Sequence, residues 1–89
     1  MKKTILNVYN SPATARLAFK DFCSELNENA HISHGNLIVE TKEHIHKFSF
    51  FVDYESAKQR DIFGMCYYAI NFHVELPEDI KGHYLSRIR

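Results

Sequence analysis

From Met65 to Val74 the chain reads Met, Cys, Tyr, Tyr, Ala, Ile, Asn, Phe, His, Val, a nearly unbroken apolar run between Gly64 and Pro77. Such a run suits a strand buried on both faces, and a strand of that kind needs helices above and below it. This segment therefore pulls the chain toward an α/β architecture, or α+β if a hairpin dominates the sheet. With 89 residues, a single small domain over 1–89 is expected, because two would leave each half too small to bury a core. Apolar residues make up 45% of the chain and aromatics 13%, enough for packing and too much for disorder.

The remaining elements follow from local signals. Ile5 to Tyr9 is a short strand candidate. Ser11 can cap a helix, Pro12 belongs at a first helical position, and Ala15, Ala18, Phe19, Phe22, Cys23 and Leu26 then recur as one apolar stripe. Arg16, Lys20, Asp21, Ser24 and Glu25 fall outside the stripe. His31 to Gly35 reads as a loop or a ragged strand start. Asn36 to Thr41 and His44 to Val52 read as a hairpin turning over Thr41-Lys42-Glu43, with Phe48, Phe50 and Val52 on an apolar face and Lys47, Ser49 and Phe51 on a mixed one. Asp53 can cap a short helix over Glu55 to Phe63, closed by Gly64. After Pro77 a last helix carries Leu76, Ile80, Tyr84 and Ile88 as a ladder, with acids at its start and Arg87 and Arg89 at its end. The expected order is βαββαβα, a mixed sheet with a hairpin and helices packed on it.

Charge and composition remove several functions. Eleven Lys plus Arg balance eleven Asp plus Glu, so a binder working by electrostatics alone is not expected. No run approaches the roughly eighteen apolar residues of a membrane span, so no membrane association is expected. The start of the chain lacks the apolar core of a signal peptide, and both cysteines, Cys23 and Cys66, sit inside apolar patterns. Reduced, buried thiols and a cytoplasmic location are the expectation. The three glycines, Gly35, Gly64 and Gly82, are isolated, so a glycine-rich phosphate loop is missing, as is a nucleophile elbow.

Six histidines in a chain this short are the remaining chemical feature. His31, His34, His44 and His46 cluster near one edge of the hairpin. On a strand His44 and His46 point to the same face and could meet one metal, although no carboxylate or thiol has matching spacing beside them. Exposed hairpin histidines are the ordinary reading. His73 falls near the end of the long apolar run beside Glu75, Glu78 and Asp79, at the carboxyl end of a strand where α/β sheets place active sites. The ordinary alternative is an imidazole satisfied by a neighbouring carboxylate or carbonyl.

The segment Ile5-Leu6-Asn7-Val8-Tyr9, followed by Ser11-Pro12-Ala13-Thr14-Ala15 and Phe19, resembles the strand-then-helix that follows the ATP site in phage terminase large subunits and related helicase-like ATPases. Glu55-Ser56-Ala57-Lys58-Gln59-Arg60, then Phe63-Gly64-Met65 and Tyr67 to Val74, resemble the same family's helix, Arg-Gly pair and strand leading into two magnesium-holding acids. The chain departs from that pattern where the chemistry lies. It has no Walker A segment, Phe63 stands at the arginine position, His73 and Val74 stand at the positions of the acids, and Glu75 comes one place late. The resemblance implies a small, catalytically inactive relative of an ATPase core, from a phage or mobile element, that binds rather than turns over.

Together these readings predict a non-catalytic cytoplasmic module without cofactors, acting by protein–protein contact, as a phage accessory protein or an inhibitor of a host system. Phe51, Tyr54, Tyr67 and Tyr68 are the expected contact aromatics. Self-association through an uncovered hairpin edge is a related expectation. The alternative is a nucleic-acid binder using Lys58, Arg60, Arg87 and Arg89, and a third reading is a metal protein or small enzyme built on His44, His46 and His73.

Overall fold

The computed structural model describes residues 2–89. The chain begins with β1 (Lys3–Tyr9), whose middle residues Leu6, Asn7 and Val8 are all buried. It enters α1 (Pro12–Glu25) as the local signals require. The Ser11 side chain accepts a hydrogen bond from the Thr14 N–H at 3.1 Å, and Pro12 occupies the first turn. Ala15 and Phe19 form the buried centre of its stripe, while Arg16, Lys20, Asp21, Ser24 and Glu25 are exposed.

A three-strand meander follows: β2 (His31–Ser33), β3 (Ile38–Glu40) and β4 (His44–Phe50), each antiparallel to the next. The hairpin at Thr41-Lys42-Glu43 forms as expected, with the Thr41 N–H donating to the His44 carbonyl at 2.8 Å. β2 is an addition to the expected order, which becomes βαβββαβα. Its turn places Leu37, not Gly35, in the left-handed region at φ 54°; the Leu37 side chain is buried in the core under α1, which offsets the backbone cost. The chain then passes through a short helix α2 (Tyr54–Ala57), capped by Asp53, and a π-helical turn over Lys58–Ile62. Gly64 follows at φ 71°, the conformation expected of a terminating glycine. β5 (Ala69–Phe72) and α3 (Glu78–Leu85) complete the chain.

The five strands lie in the order β2-β3-β4-β1-β5. β1 runs parallel to both β4 and β5, so the parallel trio is centred on the first strand of the chain. Each face carries its own core. Ala15 and Phe19 of α1 pack on Leu37, Val39 and Phe48. On the other face Leu6 and Val8 meet Ala57, Ile62, Tyr67, Leu76 and Tyr84. The fold is a small mixed α/β sheet with helices on both faces, as the sequence implied.

Four expectations need correction, the first being that Ile88, Arg87 and Arg89, expected on the last helix, lie beyond its end at Leu85, where they run beside Tyr67. The long apolar run does not form a central strand: β5 is an edge strand of four residues, and only alternate side chains turn inward. Ile70 and Phe72 pack on the α3-side core, whereas Asn71 and His73 are exposed. β4 ends at Phe50, so Val52, expected on its apolar face, lies beyond the strand and is exposed, while Ser49 of the mixed face is buried against Asp61. Of the two cysteines, Cys23 is half-buried and Cys66 is exposed. Burial pushes the Cys23 thiol above its ordinary value.

Candidate functional site

α1 does not span the sheet. It packs chiefly on β4, with Val39 of β3 and Tyr9 of β1 at its margins, and leaves the same face of β5 uncovered. Ala18, Asp21, Phe22 and Glu25 recur at helical spacing and form one wall of a groove of about 480 Å³. Alternate residues of three strands form its floor: Ile5, Asn7 and Tyr9 from β1, His46 and Phe48 from β4, and Asn71 with His73 along β5.

The floor is held flat by contacts between neighbouring strands. Asn7 and Asn71 are register partners, and the Asn71 amide donates to the Asn7 side-chain carbonyl at 3.1 Å. The His73 ring stacks on Tyr9 with centroids 4.5 Å apart and planes within 5°. That pair is locked by the His73 N–H donating to the Val8 carbonyl at 2.8 Å. Tyr9 in turn stacks beside Phe48, and His46 leans on Phe22 at 4.6 Å. Burial, with His44 beside it, holds the His46 imidazole below its ordinary value, against a smaller opposing pull from Glu28. Burial alone pushes the Tyr9 hydroxyl up. Asp21 and Glu25 give the α1 wall its negative charge.

The outer edge of β5 borders this groove. The Tyr68 N–H donates inward to the Thr4 carbonyl, so the alternating backbone groups of Tyr67, Ala69 and Asn71 face away from β1. Tyr67 is covered by the C-terminal segment, exchanging backbone bonds with Arg87 and Arg89. Beyond it, Ala69 and Asn71 lie on the open edge of the sheet.

On the opposite face sits a buried ionic cluster. Asp61 is 0% exposed; its Oδ2 accepts from the Ser49 hydroxyl at 2.6 Å, and Lys47 Nζ lies 3.3 Å from Oδ1. Arg60 Nε donates to the same Ser49 oxygen at 3.2 Å. The Tyr67 hydroxyl donates to the Asp61 backbone carbonyl at 2.6 Å. Burial and the nearby Asp61 carboxylate push the hydroxyls of Tyr67 and Tyr84 far above the ordinary phenol range.

The expected contact aromatics do not share one patch. Tyr67 is 3% exposed and belongs to the core, which corrects its assignment as a contact residue. Phe51 and Tyr54 are half-buried against the α3-side core, with the Tyr54 ring 4.9 Å from His83. Tyr68 is 49% exposed at the amino end of the parallel strands, where Lys3 Nζ sits 4.4 Å from its ring. The basic set is divided as well. Lys58 pairs with Glu55 at 3.2 Å, and Arg60 donates to the Phe50 carbonyl at the carboxyl end of β4. Arg87 donates to the Met65 carbonyl at 2.8 Å, and Arg89 lies beside Tyr67 at the amino end. No common stripe joins these four.

His44 and His46 do share a face, with ring centroids 5.9 Å apart. His34 instead meets Phe19 edge-on, and His31 stands opposite Glu40 in the β2–β3 register. Among the described residues no three of His, Cys, Asp or Glu converge as a metal-holding group. No helix among these residues is long and apolar enough to cross a membrane.

Sequence reasoning did not single out Asn7, Tyr9, Asn71 or Asp61 as site residues. For Asp61 a signal was present: Lys47 and Ser49 alternate with Phe48 and Phe50, so the polar face of β4 needed a buried partner if both faces were covered. No protein-family model, no curated protein and no solved structure matches this chain.

Proposed function

We propose that this protein is a non-catalytic binding module that takes a basic segment of a partner protein in the groove between α1 and β5. The observation that carries this reading is the half-covered sheet face, floored by the Tyr9–His73 stack and walled by Asp21 and Glu25. Aromatic surface gives a partner apolar area at small entropic cost, and the acidic wall selects a cationic segment over an anionic one. The open edge of β5 offers backbone groups to an added strand in the same place. The polar floor residues are engaged with one another, Asn7 with Asn71 and His73 with Tyr9, a packed surface rather than an aligned base and nucleophile. The departures from the ATPase pattern at Phe63, His73 and Val74 agree with binding without turnover.

The test is retention of bacterial lysate proteins on the immobilised chain, after nuclease treatment, by the unaltered protein, by Asn71→Arg and by Tyr68→Ala. Asn71 is exposed, so arginine there obstructs the groove and offsets one of its two acidic charges while leaving the core intact. Retention by the first and third but not by Asn71→Arg is the expected result. Retention unaffected by Asn71→Arg, or lost to nuclease in every case, overturns the reading.

A further inference from the structure

A second cleft, of about 320 Å³, opens at the other end of α1 and does not depend on the groove reading. It exists because β3 begins at Ile38, opposite Lys47, so Ser49 and Phe50 of β4 run on with no strand beside them on that side. α1 and the β2–β3 turn close over this gap. Arg16, Lys47 and Arg60 all line it, one each from α1, β4 and the π-helical turn.

The cluster behind the cleft positions two of these cations. A π-helical turn is wider than an α-helical one and is uncommon outside functional sites. Here it brings the consecutive residues Arg60 and Asp61 onto the same Ser49 oxygen, at 3.2 and 2.6 Å. The buried Asp61 carboxylate holds Lys47 at 3.3 Å, and Lys47 also donates to the Arg60 carbonyl at 3.2 Å. Arg60 is fixed further by the Phe50 carbonyl and by the Phe50 ring, 4.2 Å from its guanidinium carbon. Arg16 forms no ion pair among the described residues. Lys47 and Arg60 thus share one carboxylate and Arg16 has none, so the cleft keeps a positive surplus.

α1 adds to that surplus. Its first turn, which reaches the cleft at Pro12, has no acidic residue to offset the positive end of the helix. An anion in the cleft offsets both the surplus and the helix end, and guanidinium groups match the geometry of phosphate oxygens. We infer that the Arg16–Lys47–Arg60 cleft binds a phosphate group. The supplier is a small phosphorylated molecule or the backbone of a nucleic acid, and the test separates them.

Inorganic pyrophosphate is titrated at low ionic strength into the unaltered protein, Arg16→Gln and Arg89→Gln, followed by amide NMR shifts. Arg16 and Arg89 are both exposed, and unchanged spectra away from the substitution establish that each variant is folded. The expected result is saturable shifts confined to the first turns of α1, the β2–β3 turn, β4 and the π-helical turn. Arg16→Gln should weaken binding about tenfold, the effect of one lost charge-assisted contact, while Arg89→Gln leaves it unchanged. A single-stranded oligonucleotide that displaces pyrophosphate from the same amides identifies the phosphodiester backbone as the source. Failure to displace it identifies a small phosphorylated ligand. Shifts that never saturate, or that Arg16→Gln leaves unaltered, overturn the inference.

Discussion

Ser49 is a small hydroxyl between Phe48 and Phe50 near the end of β4, and it joins the two halves of the buried cluster by accepting from Arg60 and donating to Asp61. Without it a fully buried carboxylate would keep only the cations Lys47 and Arg60 beside it, with no hydrogen bond to Oδ2, and desolvation of a charge is offset only when its lone pairs are satisfied. His46 shows the same dependence on surroundings at the other face. Its imidazole value is lowered chiefly by burial, so the folded state favours the neutral ring. The stability that this contributes is fully present above about pH 6.5, the ordinary imidazole value, and is lost as pH falls through that value toward the lower folded one. The thermal midpoint should therefore drop on acidification from pH 7 to pH 5, and His46→Phe, which keeps a ring against Phe22, should flatten that slope. Parallel slopes for the two proteins in scanning calorimetry would refute the assignment to His46. Neither environment was fixed by the strand alone: the Lys47–Ser49 alternation indicates a polar face, but whether water or a carboxylate meets it depends on how the next element, twelve residues on, folds back.

At the scale of elements, local signals decided where α1 and α2 start, whereas α3 stops at Leu85, short of the Ile88 that its ladder included. Ser11 and Asp53 accept from the N–H groups of Thr14 and Ser56, as their positions before Pro12 and Tyr54 imply. Gly64 ends the π-helical segment in a left-handed conformation, and a Cβ built on it would meet nothing within 4 Å. Gly64→Ala should thus lose about 1–2 kcal/mol through backbone strain alone, and Gly64→Asn should lose less, since asparagine tolerates that region. Equal losses for the two in urea unfolding would point instead to a packing role. β5 is where element-level reading failed. The run Met65 to Val74 is apolar enough for a central strand, yet its first residues pair with the C-terminal segment and its last ones, Asn71 and His73, floor an open groove. A run of apolar residues reports total burial, not which neighbour supplies it.

For the molecule as a whole, protection should follow the sheet order. β1 is bonded on both sides and buried at its centre on both faces, whereas β2 has three residues and one neighbour. Amide exchange should therefore be slowest in β1 and fastest, among the strands, in β2. Equal protection in the two would mean that the meander edge is covered in solution, for instance by a second copy. The same layout sets the two candidate binding regions, because one helix covers only part of one face: the acidic groove lies beside its length and the basic cleft at its start. The α/β class, the capped helix after β1, the hairpin at Thr41-Lys42-Glu43 and the Gly64 stop were determined by the sequence alone, since capping, turn chemistry and periodicity act over a few residues. The edge position of β5, the burial of Tyr67 and Asp61, the exposure of Cys66, the meeting of Asn7 with Asn71 and the cleft that Arg16 and Arg60 both line were decided only by tertiary structure. Those features depend on which strands become neighbours, and that is settled by burial summed over the whole sheet.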